Sequence, residues 1–584
     1  MNSFERLFDV LHYQNAHFSQ EKCISYKYSD STEWTNYSTR QCVEIVDQYS
    51  LAFLALGVQK GDKISIISPN RPEWNFCDNG MMQAGAINVP IYPTSSESDY
   101  AYIFNNAEIK YVFVSDADLY ARVSHILPEC PSVKGIYSFD AVENCTNITE
   151  FLSHADEKYR AELDKRKASI LPEELATIIY TSGTTGFPKG VMLSHNNIVS
   201  NIKGVQSSLP LVKGQIALSF LPLCHIFERT VTYYYFSIGV SVFYAENMDK
   251  IRDNLLEVKP HFFSTVPRLL EKVYDRFIEA GNALTGPKKA LYFWALRIAN
   301  NYQEDQGFSF KFWIADKLVY SKWRERLGGN LIGIVTGAAA LQERLARVFN
   351  AAGIKVREGY GQTETSPVVT FNRFEAGNFK FGTVGMLIPN VEIKFSEQNE
   401  ILVKGPNVMI GYYNQPEITK QTIVDGWLRT GDVGTMIDGK YLKITDRIKE
   451  LFKTSGGKYV APQVIENKLK ESRYIEQVIV VGENEKFVSA LIVPNFLVLR
   501  DWCNQAKIAF KSNADIAKHP SVVELVQKEI DRINVNFGHV EQVKKFELMQ
   551  EEWTIDNGEL TPTMKVKRKF ILQKYADNIK TFYN

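Results

Sequence analysis

The sequence predicts an α/β protein with a large N-terminal domain, a small β-rich subdomain within it and a small α+β domain at the C-terminus. Three observations lead to this prediction. The 584 residues exceed what one hydrophobic core organises. Up to about residue 445, apolar stripes at helical spacing alternate with short β-rich runs. The remaining residues, about 140 of them, show the mixed pattern of a compact α+β unit.

The first elements alternate helix and strand. The segment EIVDQYSLAFLALG (44–57) has the spacing of an amphipathic helix that ends at Gly57. The runs KISIIS (63–68), AINVPIYP (86–93) and KYVFVSD (110–116) have the composition of strands. Strands that alternate with helices in this way indicate βαβ units around a largely parallel sheet.

The predicted secondary structure of the later segments changes twice, first to a helical tract and then to short strands. Residues 268–327 predict a long helical tract that is rich in aromatics and broken at Gly286–Pro287. Between residues 383 and 443, short strands and turns such as VEIKF and EILVKG predict the β-rich subdomain. The charged, turn-poor segment 444–450 is the predicted linker. The predicted domains are therefore residues 1–445 and 446–584.

Composition and charge exclude several classes of protein. Formal net charge is zero, which gives no whole-molecule attraction to nucleic acid. Seven scattered cysteines form no CxxC pair and indicate a reducing cytoplasm. The longest mostly apolar stretch, residues 230–245, is too short to span a bilayer and is interpreted as buried core. We expect a cytoplasmic protein without a nucleic-acid partner, and peripheral contact with the inner face of a membrane stays an open alternative.

The segment YTSGTTGFPKG (180–190) concentrates hydroxyls and glycines directly after the apolar run LATII. A following helix is predicted from Ser194, a suitable N-cap. A strand, a Gly/Thr-rich loop and a helix together aim backbone N–H groups at phosphate oxygens, and Lys189 adds a positive charge. The spacing does not match a Walker A loop, and an ordinary surface turn is the alternative. The candidate phosphate-binding residues are Thr181, Ser182, Gly183, Thr184, Thr185, Gly186 and Lys189.

Further motifs follow this loop in a fixed order. They are LPLCHIFER (221–229), TGAAAL (336–341), REGYGQTET (357–365), GWLRTGDVG (426–434), ITDRIKELFKTSGGKYVAP (444–462) and ELTPTMKVKRKF (559–570). Together with the loop, they resemble the signature motifs of the adenylate-forming superfamily, which includes acyl-CoA synthetases, luciferases and the adenylation domains of peptide synthetases. The resemblance runs from about residue 20 to the end. It implies a small β-barrel subdomain and a mobile C-terminal domain.

The resemblance also implies an ATP site. Adenine would lie against Gly337, Ala338 and Ala339 and stack on Tyr360, with Gly361 and Thr363 beside it. Asp432 would hold the ribose hydroxyls, and Arg447 would contact ribose or phosphate. Glu364 and Thr184 would hold Mg²⁺, a hard cation that prefers oxygen ligands. Each of these residues also has an ordinary interpretation. Glu364 would be a surface carboxylate and Asp432 a turn residue. Arg447 would be a surface arginine and Tyr360 a tyrosine packed in the core.

The catalytic assignments depend on the same resemblance. Lys565 would bridge the attacking carboxylate and the α-phosphate, although Met564 stands where the more usual motif has Gly, and Lys567 is the alternative. His225 is either a gate on the thiol path or a core histidine. The hinge would lie at Lys449. Lys453, Gly456 and Gly457 would face the active site in the CoA step.

The HIFER and terminal motifs look like the long-chain fatty acyl-CoA synthetase branch. The implied activity is ATP-dependent ligation of a long-chain fatty acid to CoA through an acyl-adenylate, with Mg²⁺ as cofactor. A free-standing fatty acyl-AMP ligase that serves a carrier protein is the rival enzyme, and a silent binding protein is the rival of another class. Chain-length preference and oligomeric state stay undetermined. Aromatic residues that either line an acyl tunnel or pack in the core are Phe220, Phe227, Tyr233, Tyr234, Tyr235, Phe236 and Phe243.

Overall fold

The structure is a computed structural model, and it describes residues 3–29, 31–181, 188–304, 309–554, 557–561 and 566–584. The described residues divide into two compact units. The first unit comprises Met1–Ile393, Leu402–Arg429 and Lys440–Leu442, and the second comprises Lys394–Ile401, Thr430–Gly439 and Lys443–Asn584.

Strands and helices alternate along most of the chain. The strands are β1 (Ile24–Tyr26), β2 (Thr35–Tyr37), β3 (Lys63–Ile67), β4 (Ile87–Ile91), β5 (Tyr111–Val114), β6 (Gly135–Ser138), β7 (Thr146–Asn147), β8 (Leu175–Thr181), β9 (Lys189–Ser194), β10 (Ile216–Ser219), β11 (Ser241–Tyr244), β12 (Phe262–Thr265), β13 (Gly333–Thr336), β14 (Val356–Gly361), β15 (Val368–Phe371), β16 (Met386–Leu387), β17 (Glu392–Phe395), β18 (Glu400–Lys404), β19 (Gly411–Tyr412), β20 (Ile423–Val424), β21 (Trp427–Ile437), β22 (Tyr441–Arg447), β23 (Phe452–Lys453), β24 (Tyr459–Val460), β25 (Ile475–Val481), β26 (Val488–Pro494) and β27 (Val543–Leu548). The α-helices are α1 (Asp9–His17), α2 (Thr39–Ala55), α3 (Pro72–Gln83), α4 (Glu97–Ala107), α5 (Ala117–Ile126), α6 (Ile148–Ser153), α7 (Arg160–Ser169), α8 (His195–Gln206), α9 (Ile226–Ser237), α10 (Ile251–Val258), α11 (Pro267–Asn282), α12 (Gly286–Asn300), α13 (Phe310–Ala315), α14 (Ser321–Arg326), α15 (Glu343–Ala351), α16 (Pro416–Thr422), α17 (Pro462–Leu469), α18 (Phe496–Gln505), α19 (Asn513–Lys518), α20 (Pro520–Asn534), α21 (Arg568–Lys574) and α22 (Ala576–Thr581).

Two large sheets build the first unit. One has the strand order β19-β9-β8-β4-β3-β5-β6-β7, and its strands from β8 through β4, β3 and β5 to β7 run parallel. The other has the order β16-β15-β14-β13-β12-β10-β11-β1-β2, parallel from β14 to β1. The predicted strands at 63–68, 86–93 and 110–116 are confirmed as β3, β4 and β5, and so is the largely parallel arrangement.

The predicted helix at 44–57 is confirmed but begins earlier. Helix α2 begins at Thr39 because Ser38 and Gln41 form a capping box in which the Ser38 side chain accepts from the Gln41 N–H. The chain leaves the helix just before Gly57, whose φ is +79°, a conformation that glycine adopts without strain.

The described residues of the aromatic tract 268–327 are largely helical, as predicted. It contains α11, α12, α13, a π-helical segment at Asp316–Tyr320 and α14, and its break precedes Gly286. Its inner side chains belong to a hydrophobic core that includes Phe277 and Trp323, whose rings stack with centroids 4.7 Å apart. The stretch 230–245 is also core, since α9 and β11 are almost wholly buried. Among the described residues, no helix is long and apolar enough to cross a membrane.

The β-rich region is a five-stranded sheet of order β17-β18-β21-β20, with β22 paired to β21. Its residues are divided between the two units. The predicted linker 444–450 is wrong in extent, because residues 444–447 continue strand β22. In YLKITDR, Lys443 and Arg447 are exposed whereas Tyr441, Leu442 and Asp446 are buried, so these charged residues belong to a half-buried strand and not to a linker.

The remainder of the second unit is α+β, as predicted. Strands β25 and β26 are antiparallel, β26 and β27 are parallel, and β23 pairs with β24 in a separate hairpin. All seven residues of β26 are buried, which places this strand at the centre of the core. Helices α17 to α22 complete the unit.

Candidate active site

The hydroxyl-rich loop connects two antiparallel strands. Thr181, at the end of β8, pairs with Lys189, at the start of β9. Residues 182–187 lie outside the described residues, so the predictions for Ser182, Gly183, Thr184, Thr185 and Gly186 stay predictions.

The predicted order of strand, loop and helix is wrong. Ser194 caps α8 as expected, accepting from the Asn197 N–H at 3.0 Å, but strand β9 lies between the loop and this helix. The N-terminus of α8 is thus roughly 17 Å along β9 from Lys189 at strand spacing. The N-terminus of α8 is therefore too far from Lys189 to donate to a phosphate at the loop.

Glu364 lies beside the end of this loop. The Tyr412 hydroxyl donates to Glu364 Oε1 at 2.8 Å, and Lys189 Nζ lies 5.1 Å from the centroid of the Tyr412 ring. Strand β19 places Tyr412 here by pairing with β9, Tyr412 opposite Val191. Burial is the larger cause that raises the pKa of Tyr412, and the charge of Glu364 is the next. The hydroxyl therefore stays protonated and can donate. The structure thus brings Glu364 and Lys189 together through a tyrosine that no motif had identified.

The two segments expected to contact adenine are neighbours. Strands β12, β13 and β14 are parallel, with Thr265 opposite Thr336 and Thr336 opposite Glu358, so TGAAAL and REGYGQTET leave the sheet at the same edge. A Cβ at Gly337 would lie 3.4 Å from Gly359 O. Carboxyl ends of adjacent parallel strands are where such sheets bind ligands. Tyr360, Ala338 and Ala339 are therefore placed at one edge.

The backbone beyond Tyr360 folds back tightly. The Gln362 N–H donates to Pro367 O at 3.1 Å, and a short 3-10 helix, Thr363–Thr365, fills the turn. A Cβ at Gly361 would lie 1.7 Å from Pro367 O, so this position accepts only glycine. Thr363 is buried in the same turn. The turn determines where Glu364 sits.

We expect Gly361→Ala to reduce adenylation by roughly tenfold or more, because the backbone must shift to relieve the overlap, at about 1–3 kcal/mol. The assay is pyrophosphate release, with thermal unfolding measured in parallel. Gly135→Ala is the matched control, since a Cβ at this strand glycine has its closest contact at 3.6 Å. Unchanged adenylation in Gly361→Ala would contradict the importance of this turn.

Glu358 is a buried carboxyl that the sequence did not single out. Its side chain accepts from the Leu341 N–H at 3.0 Å and so ties the end of TGAAAL to β14. Burial raises the pKa of Glu358 to about 8. Its place inside REGYGQTET was visible in the sequence, but its burial was not. We interpret Glu358 as a positioning residue.

His225 begins helix α9 as its N-cap. It is half-buried, and its Nδ1 accepts from the Phe227 N–H at 3.2 Å. The Phe227 ring lies 3.8 Å from where a Gly337 Cβ would be, which places the start of α9 beside the expected adenine turn. A half-buried histidine at the end of a helix differs from a histidine packed in the core. The gating role stays a prediction.

The charged residues that follow His225 are buried and paired. Arg229 and Asp78 form a fully buried ion pair at 2.5 Å, and the Tyr233 hydroxyl donates to Asp78 at 2.7 Å. Glu228 accepts from the hydroxyls of Ser219, at 2.6 Å, and Ser264. Burial raises the pKa of Glu228 to about 7. These contacts anchor α9 and thereby orient His225.

The aromatic residues proposed for an acyl tunnel are all buried. Tyr233, Tyr234, Tyr235 and Phe236 are at most 1% exposed along α9, and Phe220, Phe227 and Phe243 belong to the core cluster of the nine-stranded sheet. This packing favours the core alternative.

Asp432 and Arg447 come together in the second unit. Arg447 Nε lies 3.1 Å from Asp432 Oδ1, across the adjacent strands β21 and β22. Asp432 is buried and its N–H donates to Thr430 Oγ1, while the preceding Gly431 N–H donates to Glu400 Oε1 at 3.0 Å. A carboxylate and a guanidinium held side by side suit recognition of a sugar hydroxyl and a phosphate.

The residues expected to act in the CoA step lie on the β23–β24 hairpin. Lys453 pairs with Tyr459, and its Nζ lies 4.6 Å from the Tyr459 ring centroid. Gly457 has φ of +75° and open space around it, and Gly456 is exposed beside it. Lys449 is exposed just after β22. Lys565 lies outside the described residues.

An ion-pair cluster links the terminal motif to the segment around Lys449. Arg568 pairs with Glu466, lies 3.5 Å from Glu450 Oε2 and donates to Val480 O at 2.8 Å. Glu450 follows Lys449 directly. The neighbouring Asp446 is buried, which raises its pKa to about 6. The sequence could not reveal this cluster, because Arg568 and Glu466 are 102 positions apart.

We expect Arg568→Met to destabilise the protein by about 3 kcal/mol or more, because it leaves Glu466 and Glu450 partly buried without their cation. Adding Glu466→Gln should recover part of this loss. Urea unfolding measures both effects. Arg532→Met, which breaks an ion pair to Glu529 in which the arginine is 59% exposed, is the control and should cost about 1 kcal/mol or less. Equal losses at the two arginines would contradict a structural role for the cluster.

The residues near Glu364 suit a hard cation. The donors are carboxylate and hydroxyl oxygens, which Mg²⁺ prefers. Among the described residues, no cluster of three or more His, Cys, Asp or Glu side chains could hold a metal by itself. Mg²⁺ bound by one or two carboxylates and substrate phosphates needs no such cluster.

Comparison with known proteins assigns the family. The family model described as AMP-binding enzyme matches residues 11–413, and that described as AMP-binding enzyme C-terminal domain matches residues 450–584. The chain belongs to the AMP-binding enzyme family. The adenylate-forming resemblance drawn from the motifs is thereby confirmed.

This AMP-binding enzyme has curated relatives of similar length. It is 35% identical over 564 residues to the long-chain-fatty-acid–CoA ligase FadD15 of Mycobacterium bovis, covering 94% of this chain and 93% of that protein. It is 32% identical over 591 residues to the human long-chain-fatty-acid–CoA ligase 1, covering 94% and 82%. Among solved structures, the anthranilate CoA ligase AuaEII in complex with anthranoyl-AMP matches with a TM-score of 0.72 at 17% identity, covering 97% of each chain. The predicted fold class is confirmed.

Proposed function

We propose that this chain is an ATP-dependent long-chain fatty acid–CoA ligase that forms acyl-CoA, AMP and pyrophosphate through an acyl-adenylate. The observation that carries the proposal is the match, over 94% of the chain, to long-chain-fatty-acid–CoA ligases at 32–35% identity. Within the first unit, the contacts of Tyr412 with Glu364 and Lys189 supply groups suited to phosphate and Mg²⁺, and within the second unit the Asp432–Arg447 pair supplies groups suited to sugar hydroxyls and phosphate. We further propose a cytoplasmic location, on the scattered cysteines of the sequence.

In the first half-reaction, the fatty carboxylate attacks the α-phosphorus of ATP and pyrophosphate leaves. Two anions meet, so the residues around them must offset repulsion and hold the groups in line. We assign this task to Lys189 and the loop hydroxyls on the phosphates, and to Lys565 between carboxylate and α-phosphate. Tyr360 and the turn at Gly337 would hold adenine, while Asp432 and Arg447 would hold ribose.

Glu364, with Thr184, would hold Mg²⁺. The ion would neutralise charge on the phosphates when bound. The Tyr412 hydroxyl orients the Glu364 carboxylate by donating to Oε1. The tight turn at Gly361 positions Glu364, and Tyr412 contacts both its carboxylate and Lys189.

In the second half-reaction, the sulfur of the CoA thiol attacks the acyl carbonyl carbon and gives up its proton. The bond between this carbon and the phosphate oxygen breaks, and AMP leaves with the bonding electrons. We propose that domain 446–584 turns about Lys449, which withdraws Lys565 and presents Lys453, Gly456 and Gly457. The open hairpin at Gly457 suits close approach of a ligand to the backbone. His225 would gate the path of the thiol.

The proposed reaction is tested with purified protein, ATP, Mg²⁺, palmitate and CoA, followed by omission of single components. We expect AMP release that requires both palmitate and CoA. Accumulation of acyl-adenylate without CoA, followed by transfer only to a carrier protein, would identify a fatty acyl-AMP ligase instead. No turnover with fatty acids of any length, together with retained ligand binding, would identify a binding protein.

A further inference from the structure

The outer side of the helical tract carries exposed aromatic and basic residues. We define the aromatic–lysine patch as Phe310, Lys311, Trp313, Lys317 and Leu318, on α13 and the π-helical segment. Phe310, Trp313 and Leu318 are 65%, 47% and 52% exposed. The Phe310 and Trp313 rings stack with centroids 5.8 Å apart, and Lys317 Nζ lies 5.2 Å from the Trp313 ring centroid. Large apolar side chains grouped in this way on a surface mark an interaction site.

The inner side of the same segment is firmly packed. Val319 and Tyr320 are buried, and the Tyr320 hydroxyl donates to Ala295 O at 2.8 Å. The Trp323 indole N–H donates to the Tyr292 hydroxyl at 2.8 Å. Rotating the segment to bury Phe310 and Trp313 would break these contacts. The patch is therefore held outward by the fold.

The charge of this segment is locally positive, although the whole chain is neutral. Residues 310–326 contain five basic and two acidic residues. Both acidic side chains are engaged within the segment, Asp316 with Arg324 at 2.6 Å and Glu325 with Lys322 at 2.9 Å. The remaining cations are Lys311, Lys317 and Arg326, of which Lys317 lies against the exposed Trp313 ring.

We infer that the aromatic–lysine patch docks the protein on an anionic lipid bilayer. Trp and Phe partition to the depth of the headgroups, where their rings are partly buried, and lysine chains extend to lipid phosphates. Each lysine near an anionic surface strengthens binding by about fivefold at moderate salt. A protein partner fits less well, because the centres of protein interfaces are depleted in lysine. This inference goes beyond the proposed reaction and does not rest on it.

The test is co-sedimentation of the full chain with phosphatidylcholine vesicles, with and without phosphatidylglycerol. We expect binding that requires the anionic lipid and weakens at high salt. Phe310→Ala with Trp313→Ala should weaken binding about tenfold or more, and so should Lys311→Glu with Lys317→Glu. No catalytic assay is needed, so failure here is distinguishable from failure of the proposed activity.

Two control pairs match these variants. Leu171→Ala with Met248→Ala removes other exposed apolar side chains, and Lys511→Glu with Lys518→Glu reverses two other exposed lysines. Thermal unfolding verifies that every variant is folded. The inference would be overturned if the wild-type protein did not bind anionic vesicles, or if either patch variant bound them as tightly as its control. If the patch variants abolish self-association but still bind vesicles, the inference is also overturned, and the patch is instead an interface between copies of this chain.

Discussion

Replacing Glu364 by Gln should lower acyl-adenylate formation by at least about a hundredfold. The substitution keeps the shape of the side chain and removes the negative charge that would hold Mg²⁺ against the phosphates. Losing one contact that stabilises transition-state charge costs roughly 3–4 kcal/mol. The measurement is fatty-acid-dependent pyrophosphate release at saturating ATP and Mg²⁺.

Three comparisons sharpen this experiment. Tyr412→Phe removes the hydrogen bond to Glu364 Oε1 but keeps the carboxylate, so we expect a smaller loss of about tenfold or less. Glu375→Gln changes an exposed carboxylate of the same unit and should leave the rate unchanged. Fatty-acid binding measured without ATP should be unchanged in Glu364→Gln. Wild-type pyrophosphate release by that variant would remove Glu364 from the site.

Replacing Lys565 by Ala should abolish adenylate formation while the second half-reaction continues. A cation between carboxylate and α-phosphate is needed only while the adenylate forms, and the CoA step requires it to withdraw. Pyrophosphate release measures the first step, and conversion of synthetic acyl-AMP plus CoA to acyl-CoA measures the second. Lys567→Ala is assayed beside it, because Lys567 is the alternative assignment, and it should support both steps. Equal loss of both steps in Lys565→Ala would make this lysine structural or shift the role to Lys567.

The same assays test the hinge. Lys449→Pro fixes φ near −65° and should leave adenylation largely intact while it suppresses thioester formation. Lys449→Ala removes the same side chain without restricting the backbone and should support both steps. If the proline variant performs both half-reactions at the wild-type rate, rotation about Lys449 is not part of the mechanism.

The local sequence pattern was sufficient to predict the secondary-structure elements and to identify the site motifs in their order. The strands β3, β4 and β5, the core character of 230–245, the helical tract 268–327 and the Ser194 cap all depend on nearest neighbours along the chain. The motifs led to the family for the same reason, since each is a short run of residues. The strand β9 escaped prediction because KGVML is short and follows a glycine-rich loop, which resembles the approach to a helix.

Only the tertiary structure decided which side chains meet. Tyr412 contacts Glu364 across 48 positions, Arg229 pairs with Asp78 across 151, and Arg568 pairs with Glu466 across 102. Such pairs depend on sheet order and strand register, which local periodicity does not encode. Burial likewise raises the pKa of Glu228 and Glu358, since desolvation disfavours the charged carboxylate. The sequence by itself determined the kind of chemistry, and the fold decided which side chains contact each other and which are buried.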